Sequence, residues 1–218
     1  MIPSRKTLAR ALIVAVAPLF LAACGVNAIP TKEETARAQW AEVQNQYQRR
    51  ADLIPNLVET VKGFAAQERT VLTEVTEARA SATQVRVDAS TLTDPAKFQQ
   101  YAAAQDRLSG VLGRLMMIQE RYPDLKSNQN FLALQSQLEG TENRIAIARR
   151  DYNEAVRSYN LEFKTFPNSF WTVVHRNSQP MQMFAASDAA QTAPSVSFSP
   201  AAPSPPATAA PPPPAPAP

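Results

Sequence analysis

The sequence predicts an all-α protein, an antiparallel up-and-down four-helix bundle with long coiled-coil-like helices. Three observations lead there. Only four glycines lie between Thr31 and Phe184, apolar side chains recur every three or four residues instead of alternating, and most prolines lie at or beyond Pro194, outside that span. Sustained 3,4 spacing makes an apolar stripe along one helix face, which is the seam of left-handed bundles.

The first stripe runs through Trp40, Val43, Tyr47, Ile54, Leu57, Val61, Phe64, Val71, Val75, Ala78, Ala82 and Val85. It is too long for one element. A helix from Thr31 to Asp88 approaches about 90 Å, while the later stripes support partners of only about 40 and 57 Å, and an apolar end is left in water. Asp52-Leu53-Ile54-Pro55 offers a break, with Asp52 as the cap and Pro55 in a first turn, where its missing N–H is not needed. Helices over about 33–50 and 53–88 follow. Asp94-Pro95 then reads as an N-cap with proline at the first helical position, opening a third helix over about 95–121. Its stripe is Tyr101, Ala104, Leu108, Val111, Leu115, Ile118 and Tyr122. Tyr122-Pro123-Asp124 ends that helix, and Ser127 is placed to cap the fourth, about 127–165. The fourth stripe is Phe131, Leu134, Leu138, Thr141, Ile145, Ala148, Tyr152, Ala155 and Tyr159. Gly140 within it costs about 1 kcal/mol relative to alanine, which predicts a close approach by a neighbour.

Flanking segments divide the chain into residues 1–23, a bundle over 31–184 and a tail over 185–218. The 22 basic residues exceed the 19 acidic ones by three, and Arg5, Lys6 and Arg10 account for that excess. The body therefore has no net field to attract phosphates, and nucleic acid is not an expected partner. After the basic start come apolar residues 11–23, about 20 Å as a helix and short of the roughly 30 Å hydrocarbon core. Leu21-Ala22-Ala23-Cys24 resembles the lipobox of bacterial lipoproteins, and Cys24 is the chain's single cysteine. Cys24 is thus the predicted lipidation site. By the same resemblance, Gly25 in place of aspartate directs a Gram-negative lipoprotein to the outer membrane, facing the periplasm. An uncleaved single-pass anchor in the inner membrane is the alternative. The tail, rich in Ala, Pro, Ser and Thr, lacks the apolar area to offset its ordering entropy.

Most catalytic classes are excluded by count. One Cys and one His permit no disulfide framework and no Cys/His metal cluster, and leave His175, outside the expected helices, as the sole candidate for a histidine triad. A ferritin-like di-metal bundle needs two Glu-x-x-His motifs, and phosphate-cradling glycine loops are absent, so no metal or cofactor is expected. Two polar clusters stand out: Arg49, Arg50, Asp52, Asn56, Glu59 and Lys62, and Glu142, Asn143 and Arg144 beside Gly140. A charge near a bundle seam must be paired. The clusters are either a binding surface where they meet, with a polar pocket at Arg50, Glu59 and Glu142, or caps and ion pairs that fix helix register. Phe163, Phe166, Phe170, Trp171, Met181, Met183 and Phe184 form an apolar group that either closes the bundle end or docks a membrane or partner helix.

Residues 49–64, Arg-Arg-Ala-Asp-Leu-Ile-Pro-Asn-Leu-Val-Glu-Thr-Val-Lys-Gly-Phe, closely resemble the signature of the LemA family of bacterial envelope proteins. Tyr122-Pro123-Asp124-Leu125-Lys126, residues 138–146 around Gly140, and Tyr152-Asn153-Glu154-Ala155-Val156 leading to Phe166-Pro167 agree in the same order. The resemblance implies a four-helix bundle on a membrane, usually behind an N-terminal transmembrane helix, with no established catalytic activity. It also implies a membrane protein carrying a TPM domain as a partner. The lipobox and the appended tail depart from the family pattern. The expected function is a non-enzymatic, lipid-anchored envelope protein presenting a bundle surface to other proteins; the alternatives are a small-ligand or metal binder or enzyme using the polar cluster at Arg50, Glu59 and Glu142, and a purely structural spacer.

Overall fold

The computed structural model describes residues 27–85, 88–166, 172 and 175–185. Four long helices form the bundle: α1 (Ala28–Phe64), α2 (Arg69–Gln84), α3 (Pro95–Met117) and, after a single turn α4 (Pro123–Lys126), α5 (Gln129–Glu162). Short 3-10 turns at Ala89–Leu92 and Ile118–Arg121 bracket α3. No strand occurs among the described residues. At 1.5 Å per residue, α1 and α5 are each about 50–55 Å long and pack side by side. One register holds throughout that pairing. Glu33 meets Tyr159, Trp40 meets Tyr152 and Arg50 meets Glu142, and the two residue numbers in each pair add to the same total.

Two apolar clusters fill the interior. The one nearer the start of α1 joins Ile29, Trp40, Tyr47, Phe98, Tyr101, Tyr152 and Tyr159. The distal one joins Ile54, Leu57, Val61, Val75, Leu108, Leu115, Phe131 and Leu138. Arg50 lies between them along α1.

The first chain reversal is not at Asp52. Helix α1 runs unbroken through Asp52 and Pro55 to Phe64, and the turn falls at residues 65–68. Asp52 caps nothing: it stays exposed and accepts a bond from Gln48 Nε2, one turn back, at 2.7 Å. Continuing α1 to Phe64 gives it the length of α5, so the burial constraint is met by a later break. The proline is accommodated by another side chain. Pro55 has no N–H for the carbonyl of Ala51, and an interior proline costs roughly 3 kcal/mol. Arg79 of α2 donates its Nε to Ala51 O at 2.8 Å, supplying the missing donor.

Asp94 does cap α3, accepting from Ala96 N at 2.9 Å and Lys97 N at 3.2 Å. The cap of α5 is Asn128, whose Oδ1 accepts from Phe131 N at 3.0 Å. Ser127 instead donates to Asp124 O at 3.2 Å. Two further expectations fail. Phe64 ends its helix 41% exposed because the chain turns directly after it. A Cβ on Gly140 would meet nothing within 4 Å, so no neighbour approaches there. Among the described residues no helix is long and apolar enough to cross a membrane. The expectations for residues 1–23, for Cys24 and for most of the tail lie outside the described residues.

The pairing of Arg79 with Pro55 is separable by a double-mutant cycle. Arg79→Leu should cost about 1–3 kcal/mol in urea denaturation, because it leaves the Ala51 carbonyl unpaired. In a Pro55→Ala background the penalty should shrink by about 1 kcal/mol or more, since residue 55 then supplies an N–H. Equal penalties in both backgrounds would show that Arg79 stabilises the bundle by some other route.

Candidate functional site

Arg50 projects from the seam of α1 and is 1% exposed. Its Nη1 donates to Ser109 Oγ at 2.6 Å and to Glu142 Oε1 at 3.0 Å. Its Nη2 donates to Gln105 Oε1 at 2.5 Å and to Gln105 O at 3.3 Å. Gln105 passes the link on through Nε2 to Ala82 O at 3.1 Å, and Ser109 Oγ reaches Glu142 Oε2 at 3.4 Å. One guanidinium thereby ties α1 to α3 and α5, and through Gln105 to α2. The Glu142 side chain is 36% exposed, so the pair is half wet and avoids the full desolvation cost of a buried ion pair.

The Tyr47 ring lies beneath the guanidinium, 5.0 Å from Cζ to ring centroid, and meets Tyr101 edge-on at 5.8 Å. Two polar atoms in this layer are buried without a partner, Tyr47 Oη and Arg50 Nε. Burial pushes the Tyr47 phenol up to about 12, against the opposing charges of Arg149 and Arg50. Tyr101 is raised too, first by burial and then by Tyr47. Both phenols are therefore neutral at physiological pH. A cavity of about 200 Å³ beside them is lined by Tyr47, Ala51, Ala82, Tyr101, Gln105 and Leu108, among others.

Of the polar residues singled out in the sequence, the structure brings together Arg50 and Glu142. Arg49, Asp52, Asn56, Glu59, Asn143 and Arg144 are exposed. Glu59 does not join Arg50: it faces Lys62 at 3.5 Å, with side chains 71% and 60% exposed. Sequence reasoning missed Gln105 and Ser109. A signal existed for Gln105, which sits between Tyr101 and Leu108 at 4,3 spacing, a polar side chain on the seam itself. Among the described residues no group of three or more His, Cys, Asp or Glu is placed to hold a metal.

A second constellation holds the chain's return. Residues 178–184 lie extended along the last third of α5, antiparallel to it, and two asparagines bracket their backbone. Asn160 accepts from Met181 N at 2.9 Å and donates to Met181 O at 2.8 Å. Asn153 does the same with Phe184 N and O, both at 2.9 Å. Tyr152 and Tyr159 donate to Gln182 O and Gln179 O at 2.9 and 3.0 Å, and Gln182 N reaches Leu92 O at 2.7 Å. The repeated dipeptide Tyr152-Asn153 and Tyr159-Asn160, seven residues apart, is the sequence mark of this strap. Met181 and Phe184 are buried by it, Phe184 against Trp40, Phe98 and Tyr152 with Arg149 4.3 Å above its ring. Met183 and Phe166 stay exposed, and Phe170 and Trp171 lie outside the described residues. Glu33 of α1 accepts from Ser178 Oγ at 2.7 Å. Burial raises the Glu33 carboxyl, but hydrogen bonds from Arg37, Ser178 and Tyr159 outweigh it and hold the group below its usual range.

The model of the LemA family matches residues 39–198, which take in α2 to α5, all but the first turns of α1, and the strap. The chain belongs to the LemA family. Curated relatives include magnetosome protein MamQ 2 of Paramagnetospirillum magneticum, 26% identical over 157 residues, 65% of this chain and 58% of that protein. The MamQ of Magnetospirillum gryphiswaldense is 24% identical over 164 residues, 68% of this chain and 60% of its own length. Protein LemA of Metamycoplasma hominis is 25% identical over 130 residues, 60% of this chain and 53% of that protein. The LemA chain thus spans little more than half the length of the curated relatives it matches. None of these names is that of an enzyme.

Two substitutions test the polar layer. Arg50→Leu should lower the stability of the LemA bundle by about 2–4 kcal/mol in chemical denaturation, by stranding Gln105 and Ser109, and Arg50→Lys should not restore it. A loss below about 1 kcal/mol would show that the layer does not organise the bundle. Tyr47→Phe should be stabilising by about 1 kcal/mol at neutral pH, because it removes a buried hydroxyl that lacks a partner. An unfolded tyrosine ionises near 10 and this one near 12, so its contribution is full below pH 10 and disappears as pH rises to 12. The variant's stability should fall less steeply over that window.

Proposed function

We propose that this LemA-family chain is a lipid-anchored envelope protein whose bundle is a non-enzymatic interaction scaffold. The observation that carries the reading is the destination of Arg50. The one arginine on the core seam is turned inward, and both of its Nη nitrogens are occupied by Gln105, Ser109 and Glu142. The donors of that layer are spent on neighbouring helices, which favours a structural role for it over a catalytic one. What remains for function is the outer surface, where Leu132 and Ile147 stand 46% and 51% exposed on α5. LemA membership, shared with relatives whose names are not those of enzymes, supports a non-catalytic reading. Cys24 is the attachment point, the outer membrane the destination, and a TPM-domain membrane protein the candidate partner.

Metabolic labelling with a fatty-acid analogue, combined with a photo-crosslinking amino acid at position 132 or 147 in the full chain, tests both halves. The expected result is acyl label in the wild type, lost in Cys24→Ser, together with one discrete crosslinked adduct in the membrane fraction. The anchor half is overturned if the wild type takes no label and keeps residues 1–23. The scaffold half is overturned if neither position gives a discrete adduct.

A further inference from the structure

The end of the bundle at which α1 begins carries exposed apolar side chains that its interior does not need. Phe166, just beyond α5, is 89% exposed, and Leu161 in the last turn of α5 is 54% exposed. Met183 of the strap is 48% exposed and lines a groove of about 520 Å³ with Leu161 and Arg157. Phe163, next to them in sequence, packs inward against the core, so this segment has an inner and an outer apolar side.

The register of the α1–α5 pair fixes the level of these residues. Glu33 lies beside Tyr159, so the first turn of α1 is level with the last turn of α5 and the residues just after it. Cys24 precedes Ala28 by four residues, and four residues reach at most about 14 Å. A lipid on Cys24 holds the start of α1, and with it Phe166 and Leu161, within about that distance of the headgroups. Lys32, Arg157 and Lys164 stand at the same end, together with the carboxylates of Glu34, Glu154 and Glu162, so that end carries both signs of charge. An exposed Phe and Leu with long basic side chains beside them can enter the headgroup boundary while the charged ends stay in water, and what selects lipid as the occupant is their nearness to the anchor at Cys24.

We infer that Phe166 and Leu161, with Met183 at their upper edge, are a seat on the phospholipid surface, so that the bundle stands on the membrane by the end where α1 starts and α5 finishes. This rests on the lipid-anchor reading. The bundle leans so that the face with Leu161 and Met183 turns toward lipid, and the turn at residues 65–68 is the far end.

The test uses the full chain purified from its membrane and reconstituted in phosphatidylethanolamine/phosphatidylglycerol vesicles, with a nitroxide on Phe166→Cys or Leu161→Cys. Met117→Cys, 65% exposed near the far end, is the comparison. Intact mass is read first: an acylated Cys24 has no thiol for the label, and a chain of unacylated mass overturns the anchor reading together with the seat. With the acyl mass present, power saturation should show the label at 166 or 161 relaxed several-fold more by oxygen than by a water-soluble nickel chelate. The label at 117 should show the reverse. Equal nickel accessibility at 166, 161 and 117 overturns the seat while leaving the lipid anchor standing.

Discussion

The bundle is organised by the obligation to satisfy one buried guanidinium. Arg50 cannot lose its charge, and its donors reach neighbours on two helices only when α1, α3 and α5 are at one height relative to each other. A slip of α1 along α5 by one turn, about 5.4 Å, separates Arg50 from Glu142 and presents it to apolar neighbours in the cluster above or below. Apolar stripes alone tolerate such slips, because Leu, Val and Ala exchange holes with modest cost. Arg50 meets Glu142 at the same register that pairs Glu33 with Tyr159 and Trp40 with Tyr152, so the polar layer and the aromatic packing agree on one alignment.

A second arginine solves a backbone problem of the same kind. Pro55 lies one turn beyond Ala51, and the carbonyl it orphans is half-buried. Arg79 reaches across from α2 to that oxygen, so the defect in α1 also specifies where α2 must lie. Arg50 and Arg79 thus place the two shorter helices on the scaffold of the two long ones.

The fold was legible in the sequence to the extent that it depends on periodicity and caps. The stripes give the all-α class and most of the core, though they miss Ile29, Leu72, Leu92, Phe98, Leu112 and Leu125, and Asp94-Pro95 marks the start of α3 to the residue. The first reversal was not legible, because the sequence contains a better-looking break than the real one. Asp52 and Pro55 satisfy every local rule for a helix start, and only a side chain 24 residues after Pro55 makes the proline tolerable inside a helix. Residues 65–68, where the chain turns, hold no proline, no Asn and no glycine. Of the site, Arg50 and Glu142 were visible as charges near a seam. Their partners Gln105 and Ser109 were not, since a polar residue on a stripe looks like an interruption until its neighbour across the core is known. The strap escaped because its backbone bonds go to Asn153 and Asn160, whose heptad spacing has meaning only once an extended segment lies beside them.

The strap has a mechanical consequence. Its backbone is held by a row of bonds to Asn153, Asn160, Tyr152 and Tyr159, with Gln182 N on Leu92 O, and it lies parallel to the α5 axis. Tension applied along that axis to the chain beyond Phe184 loads those bonds together, in shear, and does not open them one at a time. The force then passes into the final third of α5 and through Glu33 and Ser178 into the first turns of α1. The distal cluster from Ile54 to Leu138 lies off that line, so a pull between the two ends of the chain is borne by one half of the molecule while the other half keeps its shape.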